Sequence, residues 1–455
     1  MNILRLTPLA LAAALALPSQ AQSLVELYES ARSNDAAYQS ARAQAQANDA
    51  RGAQALGGML PSVNLSASAY TGKVVTSEPS GTPDRNFDTQ NATLSATQPL
   101  YRGANYASYQ QGNRQSEIAQ AQLETAEQEL IVRVTQAYFD VLAAQDAVTF
   151  VNAQKAAVAE QLAAAKRNFE LGATTVTDSR EAQARFDLVT AQQIATDNDL
   201  RVKRLALDQV VGKSGLMPLP LATTTLPALD PDDMNHWVQQ AMDNHPNLKQ
   251  ARLAVEIAEY ETDKAEAGHK PTLDLVGSIS LNNNSNGSAM SPQTSRTTTT
   301  MVGVVFNMPL FAGFATQNRV RETVALEEKA RADLEAAQRG IAQATRTAYF
   351  GVQSGKSQVL ALEAAETSTQ SALDANKLGY KVGVRINIDV LNSQSQLYQT
   401  KRDLAKARYD VLVGGLRLRQ ASGSLKTDDL QAINAMLAPA QPADSVPAAS
   451  GTQSQ

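Results

Sequence analysis

The chain contains no cysteine, which excludes disulfide bonds, thiol catalysis, cysteine-ligated metals and lipid attachment at an N-terminal cysteine. It has only three histidines, His236, His245 and His269, and none has the spacing of metal ligands. The sequence also lacks a G-x-x-x-x-G-K-[ST] phosphate loop and a G-x-S-x-G elbow. We therefore expect no catalytic site, no metal site and no cofactor, and no enzymatic activity.

Basic residues are outnumbered, with 40 Lys and Arg against 45 Asp and Glu, which argues against nucleic acid as a partner. Arg5, an apolar run from Leu9 to Leu17 and a small-residue site ending at Ala21 predict a signal peptide over 1–21. No later run approaches the roughly 18 apolar residues of a membrane helix. An exported chain of this kind could enter a membrane only as a closed β-barrel.

The chain repeats itself at an offset of 210 to 211 residues. Pro61 aligns with Pro271, and Pro99-Leu100 aligns with Pro309-Leu310. Further on, Ala137-Tyr138-Phe139 aligns with Ala348-Tyr349-Phe350. Several such matches in one order indicate an internal two-fold repeat.

Each repeat contains two segments in which apolar and polar residues alternate, about 62–100 in the first and about 272–311 in the second. This period of two predicts a hairpin of strands with one apolar and one wet face. A soluble β-sandwich needs more strands than these four, and a barrel needs about eight. Several copies must therefore share one barrel, and three copies would supply twelve strands.

Long segments without proline follow each hairpin and are rich in Ala, Gln, Glu and Leu. Residues 104–169 would form a helix of about 100 Å at 1.5 Å per residue. Spacings of four and three residues predict a coiled-coil seam, which either joins several chains or closes a monomeric two-helix coil. In the first repeat the seam comprises Leu130, Val134, Ala137, Val141, Ala144, Val148 and Val151.

Two charged turns interrupt the long helices, at 170–177 and 379–386. Gly172 aligns with Gly383, and Asp178 aligns with Asp389. Polar turns are commonly only solvated connections. The duplication, however, places both turns at the same end of the helices, opposite the strands, so that a trimer would gather six of them around one axis.

These features together resemble the TolC-like outer-membrane efflux and secretion channels. The resemblance covers nearly all of the chain after the leader, and it is most specific at Pro271–Leu275, Pro309–Gly313, Tyr380–Leu391 and Lys401–Leu430. It implies a mixed α and transmembrane β fold, in which a homotrimer forms a 12-stranded outer-membrane barrel and a long periplasmic coiled-coil tunnel.

The resemblance also implies a passive exit duct in the outer membrane of a Gram-negative bacterium, with a large periplasmic part. Such a duct exports drugs or proteins, as part of a tripartite pump or a type I secretion system. Its partners are a periplasmic adaptor, an inner-membrane transporter of RND or ABC type, and outer-membrane lipid. The alternative is a periplasmic or surface structural coiled-coil protein, which would have no use for two matched hairpins.

In the family, a tyrosine, an arginine and aspartates close the periplasmic aperture. By position, this gate comprises Thr177, Asp178, Tyr380, Arg385, Asp389 and Asn392. Asn392 stands where close relatives have a second aspartate, so the second acidic ring would be neutral here. Gly172 and Gly383 are candidates for adaptor docking, although turn geometry explains them equally well.

The predicted boundaries follow the repeat. They are a signal peptide over 1–21, a first repeat over 22–212, a linker or equatorial region over 213–235, a second repeat over 236–423, an equatorial C-terminal segment over 424–436 and a disordered tail over 437–455. Within each repeat we expect one helix, a β-hairpin, a long helix, a turn and another helix.

Overall fold

The computed structural model describes residues 22–75, 84–172, 175–222 and 225–438, so the predicted signal peptide and residues 439–455 lie outside it. Two series of helix, helix, strand, strand and two long helices follow one another, and a short helix ends the described chain. The elements are α1 Leu24–Asn34, α2 Ala36–Gly57, β1 Ser62–Val74, β2 Arg85–Tyr101, α3 Gly103–Glu170, α4 Val176–Val211, α5 Met234–Asn244, α6 Pro246–Glu266, β3 Thr272–Asn284, β4 Ser295–Asn307, α7 Ala315–Lys381, α8 Asn387–Ala421 and α9 Asp428–Asn434.

The chain forms two compact units. The helical unit takes the described parts of Met1–Ala41, Glu124–His245 and Arg339–Gln455. The sheet unit takes those of Arg42–Leu123 and Pro246–Gln338. Among the described helices, none combines the length and the apolar character that a membrane crossing requires.

The sheet unit contains one antiparallel sheet in the order β1-β2-β3-β4. Leu65 pairs with Leu94, and Leu94 pairs with Ile279 in the next strand, so these three side chains share one face. This apolar face is uncovered: Leu65 is 75% exposed, and Val302 on β4 is 77% exposed. The opposite face carries hydroxyl and amide side chains, and the Thr93 and Ser280 hydroxyls lie 3.1 Å apart. The predicted alternation of one apolar and one wet face is confirmed.

A two-pronged ion pair fixes the end of the sheet where the helices begin. Arg102, between β2 and α3, donates from Nε and Nη2 to the two carboxylate oxygens of Asp274 on β3, over 2.8 and 2.6 Å. Asp274 is only 7% exposed. The planar guanidinium matches the carboxylate at both oxygens, which holds the start of α3 against the second hairpin.

The single opening helix predicted for each repeat is wrong, because both are broken in two at equivalent positions. The first breaks at Asp35, whose side chain accepts a hydrogen bond from the Tyr38 N–H over 2.8 Å. The second breaks at His245, directly before Pro246. Proline disfavours the helical conformation in the preceding residue and suits the first turn of a new helix.

The glycines that end α4 and α8 pack against these breaks. Gly212 and Gly423 have φ of 74° and 68°, a left-handed conformation that glycine adopts freely. A Cβ at Gly212 would lie 2.5 Å from Asn34 Cβ, and a Cβ at Gly423 would lie 2.5 Å from His245 Cα. In each repeat, the last long helix therefore ends against the first helix in a contact that only glycine permits.

Much of the predicted seam is buried in the helical unit. Leu130, Val134 and Val141 on α3 are inaccessible to solvent. In the second repeat, Thr345 is also fully buried, and its hydroxyl donates to the Ile341 carbonyl over 2.9 Å. The small and β-branched residues therefore serve as packing surface, as the heptad pattern predicts.

The linker between the repeats is held by side chains from the long helices. The Tyr138 hydroxyl donates to the Leu219 carbonyl and the Tyr349 hydroxyl donates to Asp232, both over 2.8 Å. Trp237 is 4% exposed and its indole N–H donates to the Pro231 carbonyl over 2.8 Å, so it packs against the linker.

The C-terminal segment pairs with this linker. The Ala222 N–H donates to the Met436 carbonyl, and the Ala438 N–H donates to the Pro220 carbonyl, both over 2.8 Å. Leu437 and Ala438 were expected in the disordered tail, but these contacts place them in ordered structure. The correction follows from Leu437, which is 6% exposed and bridges to Leu221.

Candidate functional site

The two predicted turns lie between α3 and α4 and between α7 and α8 in the helical unit. Gly172 and Gly383 have φ of 73° and 82°, and among the described residues, apart from chain neighbours, none has an atom within 4 Å of a Cβ built on either. Their backbone conformation therefore requires glycine while packing does not. The open space beside both glycines is compatible with a docking partner, which remains a prediction.

In the first turn, Asp178 forms a capping box with Thr175, the residue directly before α4. Its Oδ2 accepts hydrogen bonds from the Thr175 N–H and hydroxyl, both over 3.2 Å, and the Asp178 N–H donates to Thr175 Oγ1 over 3.3 Å. This reciprocal capping box explains why α4 starts here. Thr177 is exposed one residue before Asp178. The carboxylate keeps acceptor capacity for a further donor, because each oxygen has two lone pairs.

In the second turn, Arg385 lies two residues before α8 begins at Asn387, and its guanidinium approaches Asp389 in the first turn of that helix. The guanidinium and the carboxylate are 3.7 Å apart, and the side chains are 58% and 33% exposed. Such a pair contributes only about 0.2–1 kcal/mol because water screens it. Within the described part of one chain, Arg385 is thus paired with Asp389, and the bonds to Asp178 come from Thr175. A contact between the Tyr380–Arg385 turn and the Thr177–Asp178 turn remains a prediction for the assembled protein.

Tyr380 lies partly buried on the last turn of α7. It packs against a cluster formed by Leu373, Val390 and Leu397. The Gly379 carbonyl accepts from the N–H groups of both Val384 and Arg385, over 2.9 and 3.2 Å. The turn is therefore closed by backbone hydrogen bonds.

Asn392 has a partner that the sequence reasoning missed. Arg185 on α4 donates from Nη2 to Asn392 Oδ1 over 2.6 Å. One feature of the sequence could have indicated this partner. Arg185 follows Asp178 by seven residues, or two helical turns, and therefore lies on the same side of α4 as Asp178. Position 392 of this chain is therefore a neutral amide bonded to a guanidinium.

The tips are supported by an apolar cluster built from three helices. Leu391 on α8 is inaccessible to solvent and packs with Val158 and Leu162 of α3 and Val189 of α4. Fully burying one leucine contributes about 1.5–3 kcal/mol. Asn387, at the start of α8 and only 1% exposed, accepts a hydrogen bond from Gln161. The start of α8, which carries Asp389 and Asn392, is therefore packed firmly against α3 and α4.

Among the described residues, no group of three or more His, Asp or Glu side chains is arranged to hold a metal ion. Two pairs of adjacent aspartates, Asp232-Asp233 and Asp428-Asp429, bond to backbone and side-chain groups of the protein. Asp233 caps α5 by accepting from the Asn235 N–H over 2.9 Å, and Asp429 accepts from the Lys426 N–H over 2.8 Å.

The sequence matches the family described as Outer membrane efflux protein over residues 27–213 and 237–424, one match for each repeat. The outer membrane protein TolC of Vibrio cholerae serotype O1 is 32% identical over 437 residues, which cover 95% of this chain and 98% of that protein. The alkaline protease secretion protein AprF of Pseudomonas aeruginosa is 32% identical over 356 residues, covering 77% and 73% of the two chains.

Solved structures show the same fold at lower identity. The outer membrane protein VceC of Vibrio cholerae superposes with a TM-score of 0.76 at 19% identity, over 88% of this chain and 96% of VceC. The CmeC outer membrane channel of Campylobacter jejuni superposes with a TM-score of 0.77 at 16% identity, over 91% and 89% of the two chains.

Proposed function

Because the chain belongs to the outer membrane efflux protein family, we propose that it is the outer-membrane exit duct of an efflux pump or a type I secretion system. The duct is a passive channel and not an enzyme. Its energy comes from an inner-membrane transporter, to which a periplasmic adaptor connects it. The name of the relative AprF, an alkaline protease secretion protein, favours a protein among the exported molecules.

The observation that carries this proposal is the four-stranded sheet with two unlike faces. One face presents Leu65, Ile279, Val302 and Phe306 to the surroundings, each between 46% and 77% exposed. Uncovered apolar surface of this extent favours contact with lipid. The opposite face carries hydroxyl and amide groups suited to a water-filled lumen.

The edges of the sheet favour assembly from several copies. Among the described strands, β1 and β4 have one neighbour each, and both are 13 residues long. A free edge in lipid leaves backbone groups without hydrogen bonds, so β4 of one copy would pair with β1 of the next. Three copies would close a barrel of about twelve strands, within the range of known barrels.

The helix tips are the proposed gate. In a trimer, six turns would meet around one axis, and Tyr380 and Arg385 of one turn would contact Thr177 and Asp178 of another. Asp389 would form an acidic ring at the constriction and favour cations there. Gly172 and Gly383, beside open space, would face the adaptor, with a transporter of RND or ABC type behind it.

Fractionation and crosslinking would test the proposal. We expect the full-length protein, expressed in a Gram-negative host, to be in outer-membrane fractions and to run as a trimer until heated. Because the chain has no cysteine, Leu171→Cys and Val384→Cys each introduce one unique crosslinking site, at exposed positions next to Gly172 and Gly383 that leave both glycines in place. We expect both variants to capture an adaptor, whereas a control, Gln192→Cys, should not. A monomer in the soluble periplasmic fraction would favour a structural coiled-coil protein instead.

A further inference from the structure

An open cleft of about 200 Å³ lies between α3, α4 and α8 in the helical unit. It is next to the proposed gate but extends further along α8. Besides the Ser395 hydroxyl, six longer polar side chains line it: Gln154, Arg185, Gln192, Tyr398, Gln399 and Arg402. Two of these six side chains carry a positive charge, and among the described residues that line the cleft none is a carboxylate.

The two guanidinium groups are incompletely neutralised. Arg185 donates to the neutral amide of Asn392 over 2.6 Å. Arg402 lies 3.5 Å from the carboxylate of Asp403, its neighbour in sequence, and both side chains are more than one third exposed. Adjacent residues on a helix do not face each other, so this ion pair is weak. Both guanidinium groups therefore keep N–H groups free for an anion.

The remaining polar groups complete a surface rich in hydrogen-bond donors. Gln154 is 8% exposed and donates to Ser395 Oγ over 3.2 Å, which fixes its amide at the wall. Burial raises the pKa of the Tyr398 phenol, so the hydroxyl keeps its proton and can donate. Donors and positive charge together select an anionic group.

The cleft is linked to the proposed gate through Asn392, which lies three residues after Asp389 on α8 and accepts a hydrogen bond from Arg185 of the cleft. Exposed and half-exposed residues follow one another along α8 at intervals of three or four, while Leu397 and Leu404, which pack against α7, are buried. From Asp389 to Arg402 the helix rises by about 20 Å. The series comprises Asp389, Asn392, Ser395, Gln399 and Arg402.

The internal repeat does not reproduce the cleft. The positions equivalent to Arg185 and Arg402, 211 residues away, hold Gln396 and Ala191. Both substitutes are neutral. The described part of each chain therefore has this basic cleft next to Asn392 without a counterpart in the other repeat, and a trimer would have three.

We infer that this cleft binds carboxylate groups of exported molecules inside the duct, just beyond the acidic gate. The inference rests on the proposed function, because Asp389 must face the lumen for the cleft to open into it. A guanidinium binds a carboxylate through two parallel hydrogen bonds, and partial exposure keeps that binding weak enough for release. Asp389 would favour cations, and Arg185 and Arg402 would favour anions. The duct could therefore accept molecules of either charge.

The test uses the purified full-length protein in planar lipid bilayers, with citrate as the carboxylate probe. We expect citrate to block the wild-type current. With Arg185→Gln and Arg402→Gln combined, half-block should need about tenfold more citrate, the loss expected for one charge-assisted hydrogen bond. Each single variant should show a smaller increase. The control Lys401→Gln removes the same charge one residue away, from a lysine paired with Glu366, and should leave the citrate block unchanged.

A trivalent cation such as hexaamminecobalt serves as the second probe, because it reports on Asp389. Its block should persist in the double arginine variant. If the variants conduct and citrate blocks them as it blocks wild type, the cleft is not a carboxylate site, although the duct stands. If citrate block weakens equally in Lys401→Gln, the effect is one of general charge and the inference is overturned. A wild-type protein that forms no pore would instead contradict the proposed function.

Discussion

Tyr138 and Tyr349 are equivalent residues of the two repeats, and both hold the linker through their phenol hydroxyls over 2.8 Å. Their partners differ, since Tyr138 donates to a buried backbone carbonyl and Tyr349 to the side chain of Asp232. The linker is therefore fastened once by each repeat.

This difference predicts that Tyr138→Phe and Tyr349→Phe lower the free energy of unfolding by different amounts. Tyr138→Phe leaves the Leu219 carbonyl without its partner in a buried site, which costs about 1–3 kcal/mol. Tyr349→Phe leaves Asp232 better able to reach water and should cost about 0.5–1.5 kcal/mol. Thermal unfolding of the detergent-extracted protein would measure both, and a larger loss for Tyr349→Phe would contradict the assignment.

The buried Asp146 carboxyl should make the stability of the folded protein depend on pH. Burial raises its pKa, against the opposing effect of the hydrogen bond that the Tyr409 hydroxyl donates over 2.7 Å. The folded protein therefore holds this proton more tightly than the unfolded chain. Its stabilising contribution is complete below the ordinary pKa of about 3.9 and is lost as pH rises through the raised value.

Asp146→Asn should abolish this loss, because the amide oxygen still accepts from Tyr409 without a charge. We expect the Tm of the variant to exceed that of wild type by a margin that grows between about pH 4 and pH 7. Asp140→Asn is the matched control, since Asp140 pairs with Lys203 at a partly exposed site. A margin that shrinks as pH rises would show that the carboxyl pKa is not raised.

The sequence predicted the features that depend on local periodicity. The alternation of apolar and polar residues predicted both hairpins and their apolar face. Gly172 and Gly383, which have left-handed backbone conformations, indicated the two turns at the helix tips. The breaks at Asp35 and His245 were missed because the helical pattern continues on both sides of them. Pro246 was the available signal, since it disfavours helix in the residue before it.

Contacts between distant segments could not be predicted in the same way. Arg185 and Asn392 are 207 residues apart, and no periodicity within either helix reveals their pairing. The same holds for Arg102 and Asp274, which are 172 residues apart. Packing of one helix or strand on another decides such contacts, and a single sequence carries no direct record of it.

The contact between Arg185 and Asn392 changes the effect on ion selectivity that we expect from Asn392→Asp. Without that arginine, Asn392→Asp would add a second acidic ring and raise cation selectivity. With the guanidinium 2.6 Å away, most of the added charge is compensated. We therefore expect Asn392→Asp to raise the cation-to-anion permeability ratio only slightly, and Asn392→Asp with Arg185→Gln to raise it about twofold or more. Reversal potentials in a salt gradient would measure this, and equal ratios for wild type and the double variant would contradict it.

The account as a whole depends on the helix tips acting as the closed gate of a duct. Single-channel conductance in a planar bilayer tests this directly, with wild type beside Tyr380→Phe combined with Arg385→Ser. Each exposed contact contributes only about 0.2–1 kcal/mol, but three copies lose theirs together. Lys401→Gln, away from the tips, is the control. The account predicts a several-fold higher conductance for the double variant alone, and an unchanged conductance would contradict it.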